Sequence, residues 1–361
     1  MKRNKCIIWI IYFMVILIVP AFTYLFLGQY VNSDNHENRI LKSKPTLTID
    51  NYVTFPEDYE AYFNDNLPFR DQLIRFNNSI DYFVFNRSSN ESVCIGKDGW
   101  LFYCYYTDNP IAQSLGYWSF SDDELEAIAD NLMSIQCDLE GRGIEFVLFI
   151  APNKELIYID ELPDYYQIEN QYTSTDCLVD YLRENTDIRV VYPKDELLKC
   201  KEENPDIILY HKLDTHWNGA GAYIGAQCLA EELGIDMPDL GEVSMEQSLS
   251  SEGDLADMLN ITILNGDIDY EISEINGLIT EIEKWDLSTE LICHTPGADP
   301  RKLFVRRDSF STALAPIMAT QFEDSIWVLE QVFDQQQVFE YDADIFVLEV
   351  VERHERDLLD L

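Results

Sequence analysis

Five histidines are spread over the 361 residues, few enough to weigh one by one. His36 falls in a polar stretch near the N-terminus, His294 in an unassigned loop and His354 in a charged tail. His211 and His216 lie in Tyr210-His211-Lys212-Leu213-Asp214-Thr215-His216-Trp217-Asn218, after the apolar run Ile207–Tyr210. Read as a buried strand, that run puts both histidines at a strand end, where open α/β sheets form their sites. Asp214 and His216 stand two apart, so in extended backbone their side chains leave on one face. A carboxylate so placed accepts the imidazole N–H, sets the tautomer and stabilises the imidazolium. Spacing alone favours a structural pair; a nucleophile would make it a catalytic one.

Ser309 is the candidate nucleophile. Leu303-Phe304-Val305-Arg306-Arg307-Asp308-Ser309-Phe310-Ser311 is an apolar strand ending in polar residues, and a helix-like stretch follows over Ala313–Thr320. Ser309 therefore sits at a strand-to-helix turn, where free N–H groups of the next helix can hold an oxyanion. The alternative is that Ser309 or Ser311 merely caps that helix. Ala151-Pro152-Asn153-Lys154 also follows a buried strand. Asn153 is a candidate oxyanion donor and Lys154 a candidate holder of a substrate carboxyl or hydroxyl, against the alternative of a plain surface turn.

The elements that would position these residues can be read along the chain. Asp98-Gly99 reads as the turn of a hairpin within Val93–Tyr103. Ser121-Asp122-Asp123-Glu124 opens a helix as a capping box, and the helix runs to Gly141. Strands are expected at Ile144–Ile150, Ile188–Tyr192, Ile207–Tyr210, Leu303–Val305, Ile326–Leu329 and Ile345–Val350. Helices are expected around Cys177–Glu184, Asp195–Lys201 and Gly219–Leu233. Near-continuous apolar strands alternating with helices make a mainly parallel sheet covered on both faces. Residues 241–300 break the rhythm and read as an insertion or subdomain. No internal repeat is evident.

The N-terminus is a different material. Lys2, Arg3 and Lys5 precede an apolar run from Cys6 to Leu27. About 22 helical residues rise about 33 Å, enough to span a hydrocarbon core of roughly 30 Å. The leading cations place residues 1–5 in the cytoplasm, residues 6–28 in the membrane as an anchor and the rest outside. A cleaved signal peptide is the competing reading, disfavoured by the length of the run. Residues 29–90 read as a polar linker followed by a juxtamembrane helical segment over Pro56–Phe85, and residues 91–361 as the catalytic domain.

Composition narrows the function. An apolar fraction of 47% argues against a disordered polymer. A formal charge of −41 argues against nucleic-acid binding, which needs basic stripes. Without its three leading cations the charge falls to −44, which repels anionic polymers at long range or merely confers solubility. The eight cysteines include no CxxC pair, and no metal site is expected. The seven beyond Cys6 are open to either free thiols or disulfides.

Taken together, Asp214-Thr215-His216-Trp217, Asp308-Ser309-Phe310, Gly96-Lys97-Asp98-Gly99-Trp100-Leu101-Phe102 and Pro152-Asn153-Lys154 resemble the alginate O-acetyltransferase family. Glu37-Asn38-Arg39, Phe63-Asn64-Asp65 and Pro68-Phe69-Arg70 are similar to the related DHHW-motif proteins. The resemblance implies an export-side, SGNH-hydrolase-like α/β domain with Ser309 as nucleophile, His216 as general base and Asp214 orienting it. Two positions depart from the pattern: Arg307 stands where the hydrolase signature has Gly, and Thr215 replaces the second His of the DHHW group.

The expected protein is thus a single-pass cell-membrane protein. Its extracytoplasmic domain would move acetyl groups onto a cell-surface or secreted polysaccharide. A membrane-bound O-acyltransferase partner would supply the acetyl group, and no cofactor is implied. The alternatives are an acetylesterase of the same fold and a non-catalytic glycan-binding scaffold of an export complex.

Overall fold

The computed structural model describes residues 7–15, 18–19, 22, 42–66, 70–250, 253–261, 266–273 and 275–361. By its packing the chain divides into two compact units, residues 1–89 with 259–262, and residues 90–258 with 263–361. Residues 7–15, 18–19 and 22 are helical; the rest of the expected anchor at 6–28 lies outside the described residues. No helix among the described residues is long and apolar enough to cross a membrane.

The first unit contains the helices Phe55–Asp65 and Arg70–Phe85, the first opened by a proline in its first turn. Proline suits that position because its missing N–H would have no intrahelical partner there. Asn78 Nδ2 donates to the Leu259 carbonyl at 2.8 Å, tying Leu259 to the second of these helices.

Among the described residues the second unit has eleven strands: β1 (Val93–Ile95), β2 (Leu101–Tyr103), β3 (Glu145–Ala151), β4 (Arg189–Val191), β5 (Ser244–Ser250), β6 (Asp267–Ser273), β7 (Glu281–Trp285), β8 (Glu290–His294), β9 (Asp299–Arg307), β10 (Phe322–Leu329) and β11 (Ile345–Val351). Seven form one sheet in the order β4-β3-β11-β9-β10-β8-β7. From β4 to β10 the neighbours run parallel, and β8 and β7 add antiparallel. The sheet is therefore mixed, with a parallel half that carries the site.

Alternate residues of the central strands feed two separate cores. Val147, Phe149, Val305 and Val347 pack on the face covered by the helices Gly219–Glu232 and Ser311–Met318. Phe146, Leu148, Phe304 and Phe346 pack on the other, against the helices Asp122–Glu140 and Ser174–Asn185. Strands buried on both faces lose the polar alternation of a half-exposed strand, which explains the continuous apolar runs.

Local chemistry accounts for the boundaries. The hairpin β1–β2 turns through Asp98 and Gly99, both at positive φ (46° and 82°), with the Trp100 N–H donating to the Lys97 carbonyl. Ser121 and Glu124 form the reciprocal capping box of the helix Asp122–Glu140.

Two expectations need correction. Ile207–Tyr210, half-buried at Ile207 and Ile208 and buried at Leu209 and Tyr210, joins no sheet among the described residues. The Leu209 N–H donates to Tyr158 Oη, the Leu209 carbonyl accepts from Asn218, and Tyr210 makes only an isolated bridge with Trp217. Residues 241–300 are not a single insertion. β5 and β6 form their own antiparallel pair, whereas β7, β8 and the start of β9 belong to the main sheet.

Candidate active site

β9 is the central strand, and the chain leaves its carboxyl end through Asp308, Ser309 and Phe310 before the helix Ser311–Met318. Asp308 pins this turn: its carboxylate accepts the N–H of Phe310 and that of Val351 at the end of β11, each at 2.7 Å. Beneath it, Glu349 Oε2 accepts the Asp308 N–H at 2.7 Å and the Ser311 hydroxyl at 2.9 Å. Burial, and then the charge of Asp308, push the Glu349 carboxyl well above its usual range. Arg307 does not crowd the turn. Its buried guanidinium instead braces it, donating to the carbonyls of Asp308 and Leu287.

The Asp214–His216 segment is a pinned loop, not the extended run expected. The His211 N–H donates to the His216 carbonyl, and Asp267 accepts the N–H groups of Lys212 and Leu213. Asp214 turns back to accept the His216 N–H at 2.9 Å as well as its Nδ1–H at 2.6 Å. Its other oxygen accepts the Asp254 N–H at 2.9 Å. Burial works to raise the Asp214 carboxyl, but the hydrogen bonds and charge of His216 outweigh it and hold it well below the usual carboxylate range.

The two loops meet through the imidazole and the hydroxyl. His216 Nε2 lies 2.7 Å from Ser309 Oγ, so hydroxyl, imidazole and carboxylate form one continuous line. Buried Trp217 ties the loops together by donating its indole N–H to the Phe310 carbonyl at 2.9 Å. The His216 and Phe310 rings pack with centroids 4.9 Å apart. Below them the helix Gly219–Glu232 approaches so closely that a Cβ on Gly219 would meet the Tyr270 carbonyl oxygen at 1.8 Å. A cavity of about 650 Å³ opens beside Ser309 and His216, walled by Tyr270, Glu271 and Ile272 of β6 and by Ala313, Pro316 and Ile317.

The remaining sequence candidates hold the scaffold. Asn153 is fully buried; its Nδ2 donates to Gln113 and its N–H to Glu352. It is neither a surface turn nor a donor facing the cavity. Lys154 is also fully buried, and its ammonium donates to the carbonyls of His211, Lys212 and Asp214 at 3.2, 3.4 and 2.5 Å. Burial lowers its pKa against the pull of nearby carboxylates, Glu155 first. Lys154 shapes the loop that presents His216. Of the N–H groups at the start of this helix, that of Phe310 is taken by Asp308, and those of Thr312 and Ala313 by the Ser309 and Phe310 carbonyls.

Asp254, which spacing did not single out, is the second carboxylate of the site. It accepts the Thr215 N–H at 2.8 Å and the Thr215 hydroxyl at 2.5 Å, and lies 3.8 Å from His216 Nδ1. Asp214, His216 and Asp254 offer ligand atoms within 4.8 Å of one another, as a metal site would. Their hydrogen bonds to each other and to Thr215 instead make them the support of one imidazole. Among the described residues the seven cysteines from Cys94 to Cys293 are free thiols.

An open α/β sheet with a serine–imidazole–carboxylate line at the carboxyl end of its central strand has the architecture of serine acyl-transfer proteins. A family model described as an SGNH hydrolase-like domain, acetyltransferase AlgX, matches residues 93–299, more than half of the chain. The chain belongs to this family. The match includes Asp214 and His216; Ser309 lies beyond it and enters through the geometry. Among curated proteins, the chain is 27% identical over 207 residues to a probable alginate O-acetylase AlgJ of Pseudomonas aeruginosa, covering 56% of this chain and 49% of that protein. It is 24% identical over 254 residues to the Pseudomonas syringae protein of the same name, covering 67% and 56%. The chain thus spans about half the length of these relatives. Among solved structures, PatB1 of Bacillus cereus aligns with a TM-score of 0.53 at 16% identity, over 73% of this chain and 97% of that one. A DHHW family protein of Eubacterium siraeum aligns at 0.52 and 15% identity, over 74% and 98%. At such identities these two likenesses speak for the fold alone.

Proposed function

We propose that this chain is an O-acetyltransferase that moves acetyl groups onto a polysaccharide through Ser309, His216 and Asp214. The observation that carries the reading is the unbroken Ser309–His216–Asp214 line at the mouth of a cavity. Ser309 Oγ attacks the acetyl carbonyl while His216 Nε2 takes its proton. The leaving group departs with that proton, leaving acetyl-Ser309 and a neutral imidazole. A sugar hydroxyl then attacks the acetyl carbonyl, gives its proton to His216, and Ser309 leaves with that proton restored. Asp214 stabilises the imidazolium at each step. The Ser309 N–H has no partner among the described residues and is the donor the turn offers to the oxyanion.

The apolar run from Cys6 to Leu27 behind three cations supports a single-pass anchor with this domain outside the cell. Acetyl-CoA does not reach that side, so a membrane-bound O-acyltransferase partner would supply the acetyl group; this element rests on the family membership. The test is to incubate the protein with 4-nitrophenyl acetate with and without oligosaccharide. Ser309-dependent acetylated sugar supports transfer, whereas acetate alone in both arms makes the protein an esterase.

A further inference from the structure

The charges that line the cavity bear on its acceptor. Asp269 and Glu271 of β6 line it together with Asp214, His216 and Ser309. No Lys or Arg is among the lining residues. Asp269 Oδ1 is held by the N–H groups of Gly219 and Tyr270, at 3.0 and 2.8 Å, which fixes this carboxylate in the cavity wall. Glu271 is exposed, and no hydrogen bond or ion pair holds it among the described residues. The cations around the site are engaged elsewhere. Lys154 is buried under the loop, Lys212 donates to the Asp98 carbonyl, and Arg306 pairs with Glu330. Arg353 stacks behind Phe310, its guanidinium carbon 5.2 Å from that ring's centroid and 6.0 Å from that of Tyr103, and it does not line the cavity.

Carboxylates only accept hydrogen bonds, so they match the hydroxyl donors of a sugar and oppose a sugar's own carboxylate. Ile272, Ala313, Pro316 and Ile317 provide an apolar wall for the C–H face of a pyranose ring. The whole chain, at −41, acts in the same direction at longer range.

We infer that the acceptor of this groove is an uncharged glycan, not a uronate polymer, with Glu271 and Asp269 excluding acidic sugars. The inference deepens the acyl-transfer reading and rests on it. Glu271 is here a specificity-determining residue, not a catalytic one.

Equilibrium binding to full-length Ser309→Ala protein in detergent tests this with a neutral chitopentaose and a mannuronate pentamer as probes, at low and high salt. At low salt the neutral pentamer should bind at least about tenfold more tightly, and added salt should narrow the gap by strengthening uronate binding alone. Adding Glu271→Lys should shrink the gap to within about threefold, and Glu271→Gln should shrink it part of the way. Equal binding of the two probes, or a gap indifferent to both salt and Glu271 charge, would overturn the inference. Ser309-dependent release of 4-nitrophenol from 4-nitrophenyl acetate is read in parallel. Its absence with the binding preference intact removes the acyl-transfer reading alone.

Discussion

Asp214→Asn separates the roles of the two carboxylates beside His216. Asp214 accepts three N–H groups, at 2.6 and 2.9 Å from His216 and 2.9 Å from Asp254. A carboxamide has only one acceptor oxygen. If that oxygen stays on His216, the new amino group confronts the Asp254 N–H and the negative charge is gone. If it turns to Asp254, the amino group donates to Nδ1 and forces the imidazole proton onto Nε2, which then cannot take the Ser309 proton. The same substitution in a serine protease lowers turnover about 10⁴-fold, so a fall of about 10³–10⁴ is expected here. Asp254 lies 3.8 Å from Nδ1, is spent on Thr215 and is 39% exposed at its side chain. Solvent screening should keep the loss for Asp254→Asn below about tenfold. Ser309-dependent kcat on 4-nitrophenyl acetate, with circular dichroism as a check on folding, measures both. Equal losses in two folded variants would refute the assignment of Asp214 as the orienting carboxylate.

Other substitutions probe the scaffold. Lys154→Met leaves three carbonyls of the 211–214 loop without their donor, and should cost about 3–5 kcal/mol with a lower kcat. A substrate-holding lysine would instead raise KM with the melting temperature unchanged. Gly219→Ala drives a Cβ to 1.8 Å from the Tyr270 carbonyl, and should cost about 1–3 kcal/mol in chemical denaturation. A neutral result there would mean β6 yields freely. Burial, and then the charge of Glu352, raise the Glu355 carboxyl to about 8 from 4.5. Its folded pKa is the higher one, so its stabilising contribution is full below pH 4.5 and lost as pH rises towards 8. Glu355→Gln retains an acceptor for Gln113 and Ser174, so its melting temperature should fall less than that of wild type between pH 5 and 8. Parallel curves would contradict this.

What could be read from the sequence was local or periodic. The Asp98-Gly99 turn and the Ser121–Glu124 box are decided within four residues, and the β3, β9 and β11 runs follow from burial on both faces. Ser309 and His216 stood out because each borders an apolar run, although only one of those runs is a strand. The rest depends on contacts distant in sequence. Ile207–Tyr210 has the composition of a strand, but its backbone groups are satisfied by Tyr158 and Asn218. Asp254 reaches the site across 39 positions from Thr215, and no spacing rule detects that. Asn153 and Lys154 were conspicuous as polar residues after a strand, yet a fully buried polar side chain looks the same in sequence as an exposed one. That the Asp308 carboxylate would take the Phe310 N–H at this turn could not be read from spacing either.

Covalent labelling reaches the central claim most directly. A fluorophosphonate forms a bond from Ser309 Oγ to phosphorus with loss of fluoride only if the imidazole can take the hydroxyl proton. Peptide mapping by mass spectrometry should find the adduct on Ser309 in wild type, none in Ser309→Ala, and labelling slowed about 10³-fold or more in His216→Ala. Folded wild type that stays unlabelled at Ser309, or a His216→Ala variant that labels at the wild-type rate, would contradict the account.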